Sequence, residues 1–128
     1  MIKQIIIPVL LMPICLIVIP SAFAQLIEIQ RLQILNSNMF VDNNKVFPEV
    51  HIIGEVLNSS TQPARLVEVS GTLYDSNKKV IGTGDTFTTP SDIEPGHKSH
   101  FEIIINIRSI KGGDFSLVKN YAVQASGL

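Results

Sequence analysis

The chain has 128 residues with 10 basic and 11 acidic side chains, so its formal net charge is −1. No block of basic residues stands out of the kind that contacts nucleic-acid phosphates, and we expect no nucleic-acid partner. The length suits a single domain built around one hydrophobic core.

The first element is an apolar run close to the amino terminus. Lys3 precedes residues 5–20, which contain no charged side chain, and the small residues Ala22 and Ala24 follow. A basic start, an apolar run and a small-x-small site are typical of a secretory signal peptide. We therefore predict a signal segment over residues 1–24, with cleavage between Ala24 and Gln25, and a secreted, extracytoplasmic location for the rest.

A retained membrane anchor is the main alternative, because the run approaches the roughly 20 apolar residues that a spanning helix needs. Pro8, Pro13 and Pro20 disfavour it, since each removes a helical hydrogen bond. A buried cytoplasmic strand is the third interpretation. Contact with the membrane is expected only if the segment stays uncleaved.

The chain has one cysteine, Cys15, which lies inside the apolar run. Met12 and Pro13 lie shortly before it, where a lipid-attachment site would need small residues, so we expect no lipidation. After cleavage the protein would have no disulfide, no thiol nucleophile and no thiolate metal ligand.

Residues 25–128 are predicted to form a single β-sandwich domain. Apolar and β-branched residues alternate there with period two, which is typical of strands. The alternation breaks at Arg31-Leu32, which indicates a bulge or a change of sheet. Short strands, polar turns and no helical periodicity predict an all-β sandwich, with a closed barrel as the alternative. The predicted strands lie near residues 26–35, 39–42, 49–58, 65–74, 79–88, 99–108 and 117–125.

Six segments in the middle of the chain occur in an order and spacing that resemble the FxLYD domain, an immunoglobulin-like β-sandwich module of exported prokaryotic proteins. The resemblance covers residues 50–107. It implies an immunoglobulin-like antiparallel β-sandwich of about seven strands, an extracytoplasmic accessory role and no established catalytic residues. The segments are Ile53-Gly54-Glu55-Val56-Leu57-Asn58, Ala64-Arg65-Leu66-Val67, Thr72-Leu73-Tyr74-Asp75, Val80-Ile81-Gly82-Thr83, Ile93-Glu94-Pro95-Gly96 and Phe101-Glu102-Ile103.

The sequence departs from this family at one position. The phenylalanine that names the family is replaced by Gly71. Loss of a buried phenylalanine typically costs about 3–5 kcal/mol unless neighbours fill the space. We expect Phe87 or Phe101 to fill it.

Histidines are the sharpest polar feature. His97 and His100 are three residues apart and would point to opposite faces of a strand, so they share a metal only if His97 lies in the turn. His51 would be the third ligand, with Asp92 or Glu94 as a carboxylate. The simpler interpretation is a solvated turn and an exposed strand histidine, since metal ligation demands strict geometry.

Two polar turns carry further candidates. Asn58-Ser59-Ser60 is a glycosylation acceptor sequence, but Asn58 also suits a strand-ending turn in which its side chain bonds nearby backbone. Tyr74-Asp75 ends a strand, and we expect Asp75 to cap the turn that follows.

A catalytic interpretation finds little support. Ser91, Asp92 and His97 supply the residue types of a triad, but the sequence has no nucleophile elbow, and we predict neither an enzyme nor a cofactor.

A binding interpretation rests on the outward apolar residues Ile53, Leu57 and Ile104. Either the N-terminal strand covers them or they form an interaction patch. We therefore expect a non-catalytic accessory or interaction domain that binds another protein or an envelope component through a sheet face or an edge strand. The alternative is an exported metal-handling protein that uses His51, His97 and His100.

Overall fold

The computed structural model describes residues 31–128, so the predicted signal segment and the start of the first predicted strand lie outside the described residues. In the described part no helix is long and apolar enough to span a membrane. The secondary structure is six strands and two short 3₁₀ turns at Ile107–Ser109 and Phe115–Leu117. The strands are β1 (Leu32–Asp42), β2 (Glu49–Asn58), β3 (Glu68–Tyr74), β4 (Val80–Phe87), β5 (Lys98–Asn106) and β6 (Asn120–Ser126).

The strands form two antiparallel three-stranded sheets, in the orders β1-β2-β5 and β4-β3-β6. These orders match strands A-B-E and C′-C-F of an immunoglobulin-like sandwich. The predicted immunoglobulin-like β-sandwich is confirmed. The closed-barrel alternative is wrong, because within residues 31–128 no continuous ladder of hydrogen bonds joins the two sheets. Thr89 and His100 form only an isolated bridge.

Two predicted segments merge into β1, which is why the described part has six strands. The predicted break at Arg31-Leu32 falls at the edge of the described residues, where β1 begins at Leu32. Within β1 a bulge that the sequence did not predict lies at Asn36 and Ser37, which both stand opposite a single position of β2. Asn36 has a φ of 54°, a left-handed conformation that asparagine tolerates better than most residues. The extra residue turns the Ser37 hydroxyl towards the second sheet, where it lies 3.0 Å from the hydroxyl of Tyr121 on β6.

Strand β2 has the bounds that the alternation predicts, whereas β3 begins three residues later than expected. The reason is local, because Arg65 pairs with Leu128 through two backbone hydrogen bonds and Leu66 takes a φ of 48°. Asp92 holds that conformation, since its Oδ1 accepts the N–H of Leu66 at 3.1 Å.

The core lies between the sheets and depends on glycines facing isoleucines. A Cβ at Gly71 would lie 3.0 Å from the Cδ1 atoms of both Ile52 and Ile103. The space left by the missing phenylalanine is therefore filled by isoleucines of the opposite sheet. The expectation that Phe87 or Phe101 fills it is wrong: Phe87 is 53% exposed, and the ring of Phe101 instead covers Gly54.

Candidate functional site

The outer face of the β1-β2-β5 sheet carries most of the predicted site residues. Phe40, His51 and Ile104 stand directly opposite one another on the three strands, and Ile53 lies in the next row. Phe40 is 41% and Ile104 47% exposed, and Ile53 is partly buried. Strand β1 pairs beside β2, so its described part does not cover this face. Exposed apolar side chains on neighbouring strands therefore form a patch, which we call the outer-face patch (Phe40, Ile53 and Ile104).

Leu57 also points to this face but lies apart from the patch. It pairs with Gln33 and Lys98 at the opposite end of the sheet, four residues along β2 from Ile53. Four residues of a strand span about 13 Å. The structure thus brings Ile53 and Ile104 together and leaves Leu57 at a distance from them.

A shallow depression of about 440 Å³ lies beside the patch, where the bulge in β1 opens. Ile53 supplies its apolar part, and Glu55, His100 and Glu102 supply polar groups. Asn36 closes one side, since its amide donates to Glu55 Oε1 at 3.0 Å. The depression is open to solvent, so it resembles a surface recess more than an enclosed substrate pocket.

The structure does not bring the three predicted metal-binding histidines together. His51 is opposite Ile104, whereas His100 is opposite Glu55, a separation of four residues or about 13 Å. His97 lies in the exposed turn before β5, where its N–H donates to the carbonyl of Glu94. In residues 31–128 the potential ligand atoms that do converge belong to Asp42, Glu49 and His51.

Of the three predicted histidines, His51 is the one whose side chain is buried and contacted by neighbouring side chains. Its side chain is only 9% exposed, and the ring of Phe40 stacks on it with centroids 5.0 Å apart and an interplanar angle of 11°. Its Nδ1 lies 3.1 Å from Glu102 Oε2. Its Nε2 lies 3.3 Å from Glu49 Oε1 and 4.0 Å from Asp42 Oδ2. Three carboxylates therefore face one imidazole.

Sequence reasoning missed these acidic residues, although a signal was present. Glu49 and His51 are two apart on a clear strand and so share a face, and Asp42 ends the preceding strand of the same hairpin. Lys45 in the connecting loop completes the group, with its Nζ 3.0 Å from Glu49 Oε1. The hydrogen bond to Glu49 and its negative charge, helped by Asp42 and Glu102, raise the pKa of Lys45.

Asp92, one residue of the supposed triad, is engaged elsewhere. Arg65 Nη1 lies 3.0 Å from Glu94 Oε1 and 3.4 Å from Asp92 Oδ2, in a cluster of half-exposed side chains. The second oxygen of Asp92 accepts the N–H of Leu66. The Asp92 carboxylate thus connects its own loop to the Arg65-Leu66 segment, which accounts for its position.

Asn58 belongs to the interior of a turn. It is fully buried, and its Nδ2 donates to the carbonyls of Gln62 at 2.8 Å and Ile93 at 2.9 Å. Its Oδ1 accepts from the N–H of Ser60 at 3.1 Å and from its hydroxyl at 2.7 Å. Glycosylation at Asn58 is incompatible with this geometry, because a glycan on Nδ2 would have to displace the turn. The alternative prediction, a strand-ending turn, fits.

Asp75 caps the β3–β4 turn as expected. Its Oδ1 accepts the N–H groups of Asn77 at 2.8 Å and Lys79 at 2.9 Å. Tyr74 precedes it at the end of β3 and is partly buried.

The chain matches no protein-family model, and no curated protein matches it. Several solved structures are similar to it. A DUF1425 family member from Shewanella sp. pv-4 has a TM-score of 0.43 and 9% identity, over 77% of this chain and 78% of that one. A β-glucuronidase of glycoside hydrolase family 2 has a TM-score of 0.47 and 13% identity over 60% of this chain. β-Glucosidase 3B from Thermotoga neapolitana has a TM-score of 0.45 and 11% identity over 78%. The matches span 7% of the β-glucuronidase and 16% of the β-glucosidase.

Proposed function

We propose that this protein is a non-catalytic extracytoplasmic interaction domain that binds a partner protein through the outer-face patch. The observation that carries the proposal is the pair of exposed apolar side chains, Phe40 and Ile104, on opposite edge strands of one sheet, with Ile53 in the next row of the central strand. The resemblance of residues 50–107 to the FxLYD domain supports an accessory role. The signal-like pattern of residues 1–24 supports export.

The energetics of the patch favour a face over an edge as the binding surface. Fully burying a phenylalanine or isoleucine contributes about 1.5–3 kcal/mol, so two half-exposed side chains would contribute roughly 1 kcal/mol each. Backbone pairing at an edge strand would leave both side chains in water. A partner that covers the face gains this apolar term directly.

The charges around the patch indicate the character of the partner. Glu49 and Glu102 lie on the outer face beside the patch, Glu55 stands opposite His100, and Lys98 lies towards the other end of the sheet. Acidic groups around an apolar centre select a partner whose rim is basic. We therefore expect an apolar anchor flanked by lysine or arginine on the partner, with association that weakens as salt increases.

Site-specific photo-crosslinking in cells that naturally make the protein tests this proposal. A photoreactive amino acid at position 104 should give a discrete adduct, and the same group at Thr83, exposed on the second sheet, should not. Phe40→Ser should reduce the adduct without changing the amount of folded protein. Equal adducts at both positions, or none at position 104, would refute binding through this face.

Export has a separate test, so the two parts of the proposal can fail independently. Mass spectrometry of the protein recovered from the extracytoplasmic fraction should find Gln25 as the new amino terminus. An intact Met1 in the membrane fraction would support the anchor instead, and an intact soluble cytoplasmic chain would refute export.

A further inference from the structure

We infer that Asp42, Glu49 and His51 form a binding site for a divalent first-row transition-metal ion, of which zinc is the reference case. The site lies at the end of the β1–β2 hairpin, on the outer face of its sheet. It shares only His51 with the three histidines that the sequence suggested, and it does not depend on the proposed binding of a partner protein.

The first argument is a buried ring nitrogen without a hydrogen-bond partner. This atom, Nε2 of His51, faces the buried Oε1 of Glu49, which contacts the Lys45 ammonium. The two atoms Nε2 and Oε1 are 3.3 Å apart. A neutral imidazole lone pair and a carboxylate lone pair repel at this distance, and a cation between them removes the repulsion.

The second argument concerns the other ring nitrogen. A carboxylate can only accept a hydrogen bond, so the 3.1 Å contact between His51 Nδ1 and Glu102 Oε2 places the N–H on Nδ1. In the neutral ring the Nε2 lone pair then points at Glu49 and Asp42. Metal-binding histidines almost always donate their second nitrogen to a carboxylate or carbonyl in this manner. Glu102 is therefore a positioning residue that orients the ring from β5.

The third argument is distance. With metal–nitrogen and metal–oxygen bonds of about 2.0–2.2 Å, two ligand atoms of a tetrahedral site lie roughly 3.3–3.5 Å apart. The separation of His51 Nε2 from Glu49 Oε1 already has this value, at 3.3 Å. Asp42 Oδ2 is 4.0 Å from Nε2, the three ligand atoms all lie within 4.8 Å of one another, and Asp42 stands at the very end of β1, where it can approach. An imidazole among the ligands favours zinc, copper, iron or nickel over calcium or magnesium.

Lys45 supplies the sharpest internal control. Its ammonium neutralises Glu49 where the metal would bind, and its side chain is 55% exposed, so it can swing into solvent. In the rival interpretation a doubly protonated His51 and Lys45 together neutralise the carboxylates without any metal. Lys45→Gln separates the two interpretations. If the site binds a metal ion, the variant should bind it more tightly; if it does not, the variant should bind no metal either.

The experiment is titration of the purified protein with zinc chloride near neutral pH, followed by calorimetry and by the ¹⁵N NMR signals of the histidine rings. We expect one ion per chain, a shift of the His51 Nε2 signal, tighter binding in Lys45→Gln and binding about 10–100-fold weaker in Glu102→Gln. His100→Ala should bind like the parent, and calcium chloride should give no shift.

Circular dichroism and thermal unfolding of each variant show whether it is folded, and Lys45→Gln keeps the test decisive if His51→Ala is not. The inference is overturned if zinc leaves the His51 signals unchanged in both the parent and Lys45→Gln. It is equally overturned if His100→Ala or His97→Ala abolishes binding that folded His51→Ala retains.

Discussion

Replacing Asn58 with alanine would remove four hydrogen bonds from the end of the sandwich where β2 meets the crossing loops. The side-chain amide of Asn58 donates to the carbonyls of Gln62 and Ile93 and accepts twice from Ser60. Its backbone N–H and carbonyl also hold the loop before β5, through His97 and Gly96. The side chain thus connects segments that are far apart in sequence.

The size of the stability loss depends on which buried groups are left without any hydrogen-bond partner. The Ile93 carbonyl keeps the N–H of Ala64, and the Gln62 carbonyl keeps the hydroxyl of Ser60. The buried N–H of Ser60, in contrast, loses its bond to Asn58 Oδ1. An orphaned buried donor costs about 1–3 kcal/mol and each further lost bond about 1 kcal/mol. We expect Asn58→Ala to lower the free energy of unfolding by about 2–4 kcal/mol.

Asn58→Asp isolates the chemistry from the shape. Aspartate has nearly the same volume but turns a carboxylate oxygen towards the two carbonyl oxygens that Nδ2 now bonds, so it should cost at least as much as alanine near neutral pH. The matched control is Asn77→Ala, at an exposed position of the β3–β4 turn, for which we expect a change within about 0.5 kcal/mol.

Urea denaturation followed by circular dichroism measures all three variants on one scale. A loss below about 1 kcal/mol for Asn58→Ala, or an Asn58→Asp variant as stable as the parent, would refute the hydrogen-bond accounting. The same reasoning predicts an unmodified Asn58 in protein isolated from its natural host. A glycan on Asn58 in the folded protein, seen by mass spectrometry, would contradict the buried turn.

Two further predictions concern the core and the second 3₁₀ turn. Gly84→Ala places a Cβ 2.9 Å from Ile105 and 3.0 Å from Ile103, so unfolding should become easier by about 1–3 kcal/mol in the same assay, and unchanged stability would contradict this packing. Hydrogen bonds from the backbone and side chain of Ser116 lower the pKa of Asp114, so its capping contribution is present near neutral pH and lost as the pH falls through the folded-state pKa. NMR titration of the Asp114 carboxyl should show a midpoint below the ordinary aspartate value, and a midpoint at or above that value would contradict the cap.

The elements that the sequence predicts well are those in which local pattern and tertiary contacts agree. Strand β2 has inward apolar residues at every second position and a proline and a polar turn at its ends, and its bounds are predicted residue for residue. The bulge at Asn36 and Ser37 is not predicted because both are ordinary polar residues in sequence, and the contact of Ser37 with Tyr121 is visible only in the folded chain. A positive φ at Leu66 is also invisible, since leucine carries no turn signal.

The candidate sites show the same division. The faces of Ile53 and Ile104 follow from period two, but their proximity to each other depends on register across strands, which a single sequence does not specify. Counting histidines suggested a metal site from chemistry alone. The carboxylates that approach His51 come from three strands, and Glu102 is about 50 residues away in the sequence.

The core residues and the outer-face residues alternate along the same strands, so a change in strand register would displace both sets together. Ile52 and Ile103 fit against Gly71 of the second sheet, and this fit sets the register at which β2 and β5 lie. A slip of one residue would move His51 into the core and Ile52 to the surface. Gly71 therefore has a structural role, since it leaves room for the isoleucines that fix the register of the strands. Groups held on strands of fixed register keep their geometry better than groups on loops, which favours the outer face over the exposed His97 turn as the position of a binding site.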